Sequence, residues 1–246
     1  MNNSINMSDK NIIIIGATSG IGKALFEKYV ADGNCIGIIG RRTNLLEELR
    51  KEHPETTITA TADITKQDEI ARAIDAFRTE LKAIDLAIVC SGTGDINASL
   101  DYALERPSIN TNVTGWTFVI DTLYKIFEQQ GHGHLVAITS AGGLRGEPMA
   151  PAYSATKAYQ INYMEALRKK AYKNGGAIRV TDIRPGLVDT AMAKGEGLFW
   201  VMPVEKVARQ IMRAIHKKKS VVYVTKRWHI LAIINKNLPF ALYKRM

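Results

Sequence analysis

Short apolar runs recur along the chain at 11–15, 35–40, 56–61, 85–90, 134–139, 177–183 and 220–224, separated by stretches long enough for helices. Each run has the length and aliphatic content of a buried strand, so the pattern predicts seven strands. Strands separated in this way cannot close as tight hairpins. They pair in parallel through right-handed crossovers that lay helices on both faces of the sheet. The intervening segments carry the matching signal: Val204, Val207, Ala208, Ile211, Met212 and Ile215 recur with a period of about 3.6 residues and predict a helix with one buried stripe. A second long helix is predicted from Pro151 to about Tyr172. The expected architecture is α/β, a single doubly wound, Rossmann-like domain with a seven-stranded parallel sheet.

Composition adds limits rather than detail. Apolar residues at 46% and charged residues at 23% are ordinary for a globular chain of 246 residues, and no apolar stretch reaches the roughly 18 residues of a membrane span. The polar segment from Met1 to Lys10 lacks the charged and apolar regions of a secretory signal, so the expected location is cytoplasmic. Cys35 and Cys90 lie in strand-like runs without redox or metal spacing, and are expected to be reduced and buried. The net charge of +9 is unevenly placed: residues 205–246 hold 11 Lys or Arg against the single Glu205, and the rest of the chain is close to neutral. A basic excess confined to one end and interleaved with apolar side chains does not suit nucleic-acid binding.

The first strand runs directly into Gly16-Ala17-Thr18-Ser19-Gly20-Ile21-Gly22-Lys23. Three glycines at this spacing allow a sharp turn and close approach of the main chain to a pyrophosphate, which the amides opening the next helix would attract. Thr18, Ser19 and Ile21 complete the turn. The second strand ends in Gly40-Arg41-Arg42, where many dinucleotide folds place a carboxylate on the adenosine ribose. Two guanidiniums there suit a ribose 2′-phosphate, so NADP(H) is expected in preference to NAD.

Tyr153 and Lys157 stand four apart in the predicted helix and share one face, which allows an ammonium to lower a phenol pKa toward working pH. Ser140 follows the strand 134–139 and so lies at the end of the sheet where such folds bind ligands. Asn112 sits within an apolar helical passage, an unfavourable place for Asn without a specific role.

Taken together with Asp63-Ile64, Asn112-Val113-Thr114-Gly115 and Pro185-Gly186 through Thr190, these motifs resemble the short-chain dehydrogenase/reductase family over nearly the whole chain. The resemblance implies that Tyr153 is the general acid/base and that Lys157 lowers its pKa while holding the nicotinamide ribose. By the same resemblance Ser140 polarises the reacting carbonyl, and Asn112 kinks its helix and holds a water that relays protons to Lys157. Asp63 and Ile64 are implied to border the adenine, and Ser91 and Gly92 the adenosine side of the cleft. Pro185, Gly186, Val188 and Thr190 are implied to contact the nicotinamide. Two positions depart from the family pattern: Ile15 replaces a frequent Thr, and Val89-Cys90-Ser91-Gly92 replaces Asn-Asn-Ala-Gly. Both remove polar contacts that brace the sheet.

The expected activity is transfer of hydride between NADP(H) and a carbonyl or secondary alcohol. A catalytically silent NADPH-binding sensor or scaffold stays open, as does a 3-oxoacyl-carrier reductase that docks an acidic carrier protein. Met192, Leu198, Phe199, Trp200 and Met202 either line a pocket for a lipophilic small molecule or seal the fold. Residues 1–225 are expected to form the catalytic domain, and 226–246 a basic, apolar extension packed on the domain, on a subunit of a homo-oligomer or on a membrane surface.

Overall fold

The structure is a computed structural model that describes residues 9–193 and 199–245. Strands β1 (Asn11–Ile15), β2 (Cys35–Gly40), β3 (Thr57–Thr61), β4 (Leu86–Val89), β5 (Gly133–Ile138), β6 (Ile178–Pro185) and β7 (Val221–Val224) form one sheet in the order β3-β2-β1-β4-β5-β6-β7. All six neighbouring pairs are parallel. The seven apolar runs thus become the seven strands.

Helices α1 (Gly20–Ala31), α2 (Thr43–Glu52), α3 (Gln67–Leu81), α4 (Tyr102–Ile109), α5 (Trp116–Gln130), α6 (Pro151–Lys173), α7 (Val204–His216), α8 (Lys226–Asn237) and α9 (Phe240–Tyr243) complete the described chain. Successive strand residues face opposite sides, so the sheet divides its apolar side chains between two cores. Ile13 and Ile15 join Phe77 of α3, Trp116 and Phe127 of α5 and Met164 of α6. Ile12 and Ile14 join Leu25 and Phe26 of α1, Leu46 of α2 and Ile211 of α7 on the other face. This two-sided covering explains why β1 reads as a continuous apolar run rather than an alternating one.

Two expectations are corrected. Cys35, the first residue of β2, is exposed, and Cys90 is only partly buried; both are free thiols. β6 also carries a buried ion pair: Asp182 Oδ2 accepts from Arg184 Nε and Nη2, each at 2.7 Å, while Arg184 Nη1 donates to Tyr223 Oη at 2.8 Å. Among the described residues, no helix is long and apolar enough to cross a membrane.

The extension after β7 folds back as α8 and α9. Trp228 lies flat against Gly186, where a Cβ would enter its ring, and Tyr223 of β7 stacks on His229 at 4.6 Å. Arg145 donates to the carbonyls of Lys236 and Leu238, and Tyr243 Oη to that of Gly146. Its inner side therefore packs on the domain at the carboxyl end of the sheet.

Candidate active site

The strand order reverses between β1 and β4, the switch point beyond whose carboxyl ends sheets of this kind bind ligands. Gly16 closes β1 with φ +89°, its N–H donating to Ile39 O at 2.8 Å. A Cβ at Gly16 would lie 2.8 Å from Ser91 N, and one at Gly22 would strike the Gly16 carbonyl, so the turn is closed to side chains. Ser19 precedes α1 without capping it, no acidic side chain occupies the first turn, and the opening amides are left for an anion. Thr18 is buried and Ile21 packs on the core. The Thr190 methyl faces Gly20, where a Cβ would lie 3.2 Å away, so Thr190 sits above the start of α1. This cradle fits a dinucleotide pyrophosphate.

Arg41 and Arg42 follow β2 at the same end of the sheet but are used differently. Arg42 donates from Nη2 to Thr18 Oγ1 at 2.6 Å and to Ser19 Oγ at 2.8 Å, gripping the glycine turn. Arg41 extends into solvent, 3.8 Å from Asp63 Oδ2. Burial raises the Asp63 pKa, but hydrogen bonds from the Thr65 N–H and hydroxyl, with the charges of Arg41 and Lys66, hold it below the usual value. Ile64 is buried in the core, which leaves Asp63 as the polar side chain at this corner. Two guanidiniums beside the glycine turn fit a ribose phosphate.

The expected catalytic residues meet on the other side of β4. Asn112 lies in a π-helical turn, Asn110–Gly115, between α4 and α5. Its Nδ2 donates to Thr93 O at 2.7 Å and Thr156 Oγ1 at 3.0 Å, while its Oδ1 accepts from Thr93 N at 2.9 Å. Tyr153 lies near the start of α6, and its ring meets the Ser140 hydroxyl that follows β5 at Gly142, where a Cβ would lie 3.8 Å from Tyr153 Cε1 and 3.3 Å from Ser140 Oγ. Ser140 Oγ also accepts from Gly142 N at 3.0 Å. Lys157, one turn further along α6, is buried with Nζ donating to Gln160 Oε1 at 3.0 Å and Ile138 O at 3.3 Å. Gly92 sits beside it, where a Cβ would lie 3.3 Å from Lys157 Nζ and 3.4 Å from Asn112 Oδ1. Ser91 thus touches the glycine turn, whereas Gly92 lies beside Lys157 and Asn112.

One further expectation changes. Burial raises the Tyr153 pKa and outweighs the lowering effect of the nearby Ser140 hydroxyl, so the phenol is held neutral. Lys157 Nζ lies 5.9 Å from the Tyr153 ring centroid, and burial pushes its own pKa down to about 8 against the raising effects of Asp182 and Cys90. The expected lowering of Tyr153 is therefore replaced by a rise. The Asn112 carbonyl accepts from Gln160 Nε2 at 2.9 Å, so the Gln160 amide links Asn112 to Lys157. Gln160 was missed by sequence reading, although its place three residues after Lys157 puts it on the same face of α6.

At the remaining end, Pro185 finishes β6, Val188 bridges to Met202, and Gly186, just after the strand, supports Trp228. Phe199 stacks on Trp228 at 5.5 Å, and Trp228 Nε1 donates to Trp200 O at 3.4 Å. Met192, Phe199 and Trp200 are exposed; Leu198 lies outside the described residues. Aromatic side chains from two segments thus gather next to Gly186.

A family model of short chain dehydrogenases matches residues 10–198. An uncharacterized oxidoreductase of Myxococcus xanthus is 34% identical over 191 residues, covering 76% of this chain and 75% of its own. A short-chain type dehydrogenase/reductase from Mycobacterium ulcerans superposes with a TM-score of 0.78 at 26% identity, covering 88% of each chain. A short chain dehydrogenase from Burkholderia cenocepacia, solved in complex with NADP, shares the fold at a TM-score of 0.83 and 20% identity over 97% of each chain.

Proposed function

The chain belongs to the short-chain dehydrogenase/reductase family, and from that premise we propose that it reduces a lipophilic carbonyl compound with NADPH. The observation that carries the reading is the gathering of the Tyr153 ring and the Ser140 hydroxyl about Gly142, with buried Lys157 one turn away on α6. When bound, a reduced nicotinamide supplies the hydride.

The residues supply the rest. Ser140 donates a hydrogen bond to the carbonyl oxygen and stabilises it as negative charge builds. Tyr153, held neutral by its raised pKa, gives its proton to the same oxygen. Lys157 holds the ribose hydroxyls from a position fixed by Gln160 and Ile138. Gly16, Thr18, Ser19, Gly20, Ile21 and Gly22 hold the pyrophosphate, with Thr190 above them. Asp63, Ile64 and Ser91 border the adenosine, and Pro185, Gly186 and Val188 the nicotinamide. The preference for NADP(H) rests on Arg41 and Arg42 and on the absence of a carboxylate directly after β2.

A lipophilic substrate is supported by Phe199, Trp200 and Trp228 beside Gly186. Homo-oligomerisation is supported by a separate open groove of about 440 Å³ between α4 and α6, lined by Leu100, Ile109 and Val113. The test is NADPH oxidation across ketones, 3-oxoacyl thioesters, quinones and steroids. Turnover of an apolar member supports the reading; tight NADPH binding without any turnover contradicts it and favours a sensor.

A further inference from the structure

Helix α8 is apolar on two sides. Its inner stripe, Trp228, Leu231 and Ala232, packs toward the domain, with Ala232 fully covered. Its outer stripe, Ile230, Ile233 and Ile234, is 62%, 50% and 56% exposed, and Phe240 and Leu242 of the following turn are exposed as well. A soluble helix ordinarily presents charge where this one presents isoleucine. The polar residues that frame these side chains are of one sign: Arg227, Lys236, Lys244 and Arg245 are exposed, and residues 226–246 contain no Asp or Glu.

We propose that the outer side of α8 and α9 docks on an anionic lipid bilayer. Aliphatic side chains and a phenyl ring enter the acyl boundary while the framing cations meet lipid phosphates, and the helix lies in the plane of the interface. A second copy of the chain fits the same surface poorly. A two-fold contact would set the cations of each copy against those of the other, with no carboxylate on the segment to neutralise them. An acidic protein would answer the charge, but a run of exposed isoleucines followed by phenylalanine and leucine suits hydrocarbon better than a charged partner.

The surface is coupled to the site beneath it. Trp228 rests on Gly186, while Arg145 and Gly146, from the loop after Ser140, hold the end of the strap through Leu238 and Tyr243. Docking brings the aromatic mouth close to the acyl chains, a route for an apolar carbonyl compound; this consequence alone rests on the reductase reading.

The test is flotation of the full-length protein with vesicles of phosphatidylcholine alone and of phosphatidylcholine mixed with phosphatidylglycerol. The expected recovery with anionic vesicles exceeds that with neutral ones on the order of tenfold or more, and falls as salt rises. The pair Ile233→Asp and Ile234→Asp, and separately the pair Lys244→Glu and Arg245→Glu, each reduce recovery about tenfold or more. Both keep the wild-type melting temperature and NADPH affinity. If the first pair folds poorly the second decides, since it leaves the apolar contacts in place. Absence of flotation, or equal recovery with neutral vesicles, overturns the proposal. So does self-association abolished by the aspartate pair in a protein that does not float, which assigns the face to a second copy, or an acidic carrier protein binding it without flotation. Turnover is read separately: a protein that floats but reduces nothing sinks the reductase reading and spares this one.

Discussion

Gln160 accepts a hydrogen bond from Lys157 Nζ at 3.0 Å and passes its own amide N–H to the Asn112 carbonyl at 2.9 Å. Both ends of a buried side chain are thus satisfied, and a charged group is fixed against the π-helical turn. Replacing Gln160 with Leu removes a polar partner from a buried ammonium, a loss of about 1–3 kcal/mol. The expected outcome is a lower melting temperature and a Lys157 that loses its proton at lower pH. Gln160→Glu offers a carboxylate and moves the titration the other way. Opposite displacements of the alkaline limb of kcat/KM in the two variants are the check; parallel displacements would reduce Gln160 to packing.

Arg41 and Arg42 predict different cofactor phenotypes. Arg42 grips Thr18 and Ser19 of the glycine turn, whereas Arg41 makes only a long contact with Asp63. Arg42→Ala therefore weakens both NADPH and NADH binding by loosening the turn, with the larger effect on NADPH. Arg41→Ala weakens NADPH about tenfold and leaves NADH close to wild type. Titration of cofactor fluorescence separates the cases.

The pKa directions set the pH dependence. Lys157 is charged below about pH 8 and neutral above it, so kcat/KM for reduction falls as pH rises through 8. The raised Tyr153 pKa keeps the phenol protonated across that range, which favours proton donation. Alcohol oxidation needs the phenolate as base. Its kcat, measured with saturating NADP⁺ and alcohol, is expected to keep rising into the alkaline range after reduction has begun to fall. A common profile for both directions contradicts this assignment.

Much of this was legible in the sequence. The strand boundaries followed from apolar runs because a sheet covered on both faces needs aliphatic residues at every position, as in Ile12 to Ile15. The Tyr153 and Lys157 pair followed from helix periodicity, and Ser140 from its place after β5. What periodicity cannot give is the partner of a side chain across the fold. Nothing local in the sequence marks Gly186 as the seat of Trp228, or sends Arg42 to Thr18 rather than to solvent. The balance at Tyr153 was misjudged for a related reason: spacing gives the nearness of a charge but not the desolvation that opposes it. Cys35 was misjudged because an apolar run does not tell which of its positions is covered: Cys35 opens β2 exposed, whereas Thr57, Leu86 and Ile178 open their strands buried.

The central claim is that the Tyr153 phenol, beside the Ser140 hydroxyl, delivers the proton that completes carbonyl reduction. Single-turnover oxidation of bound NADPH in wild type and Tyr153→Phe, with the best ketone from the panel, tests it most directly. The predicted result is a rate lowered about 10²–10⁴-fold with NADPH affinity unchanged; a Phe variant that turns over at the wild-type rate would contradict the account.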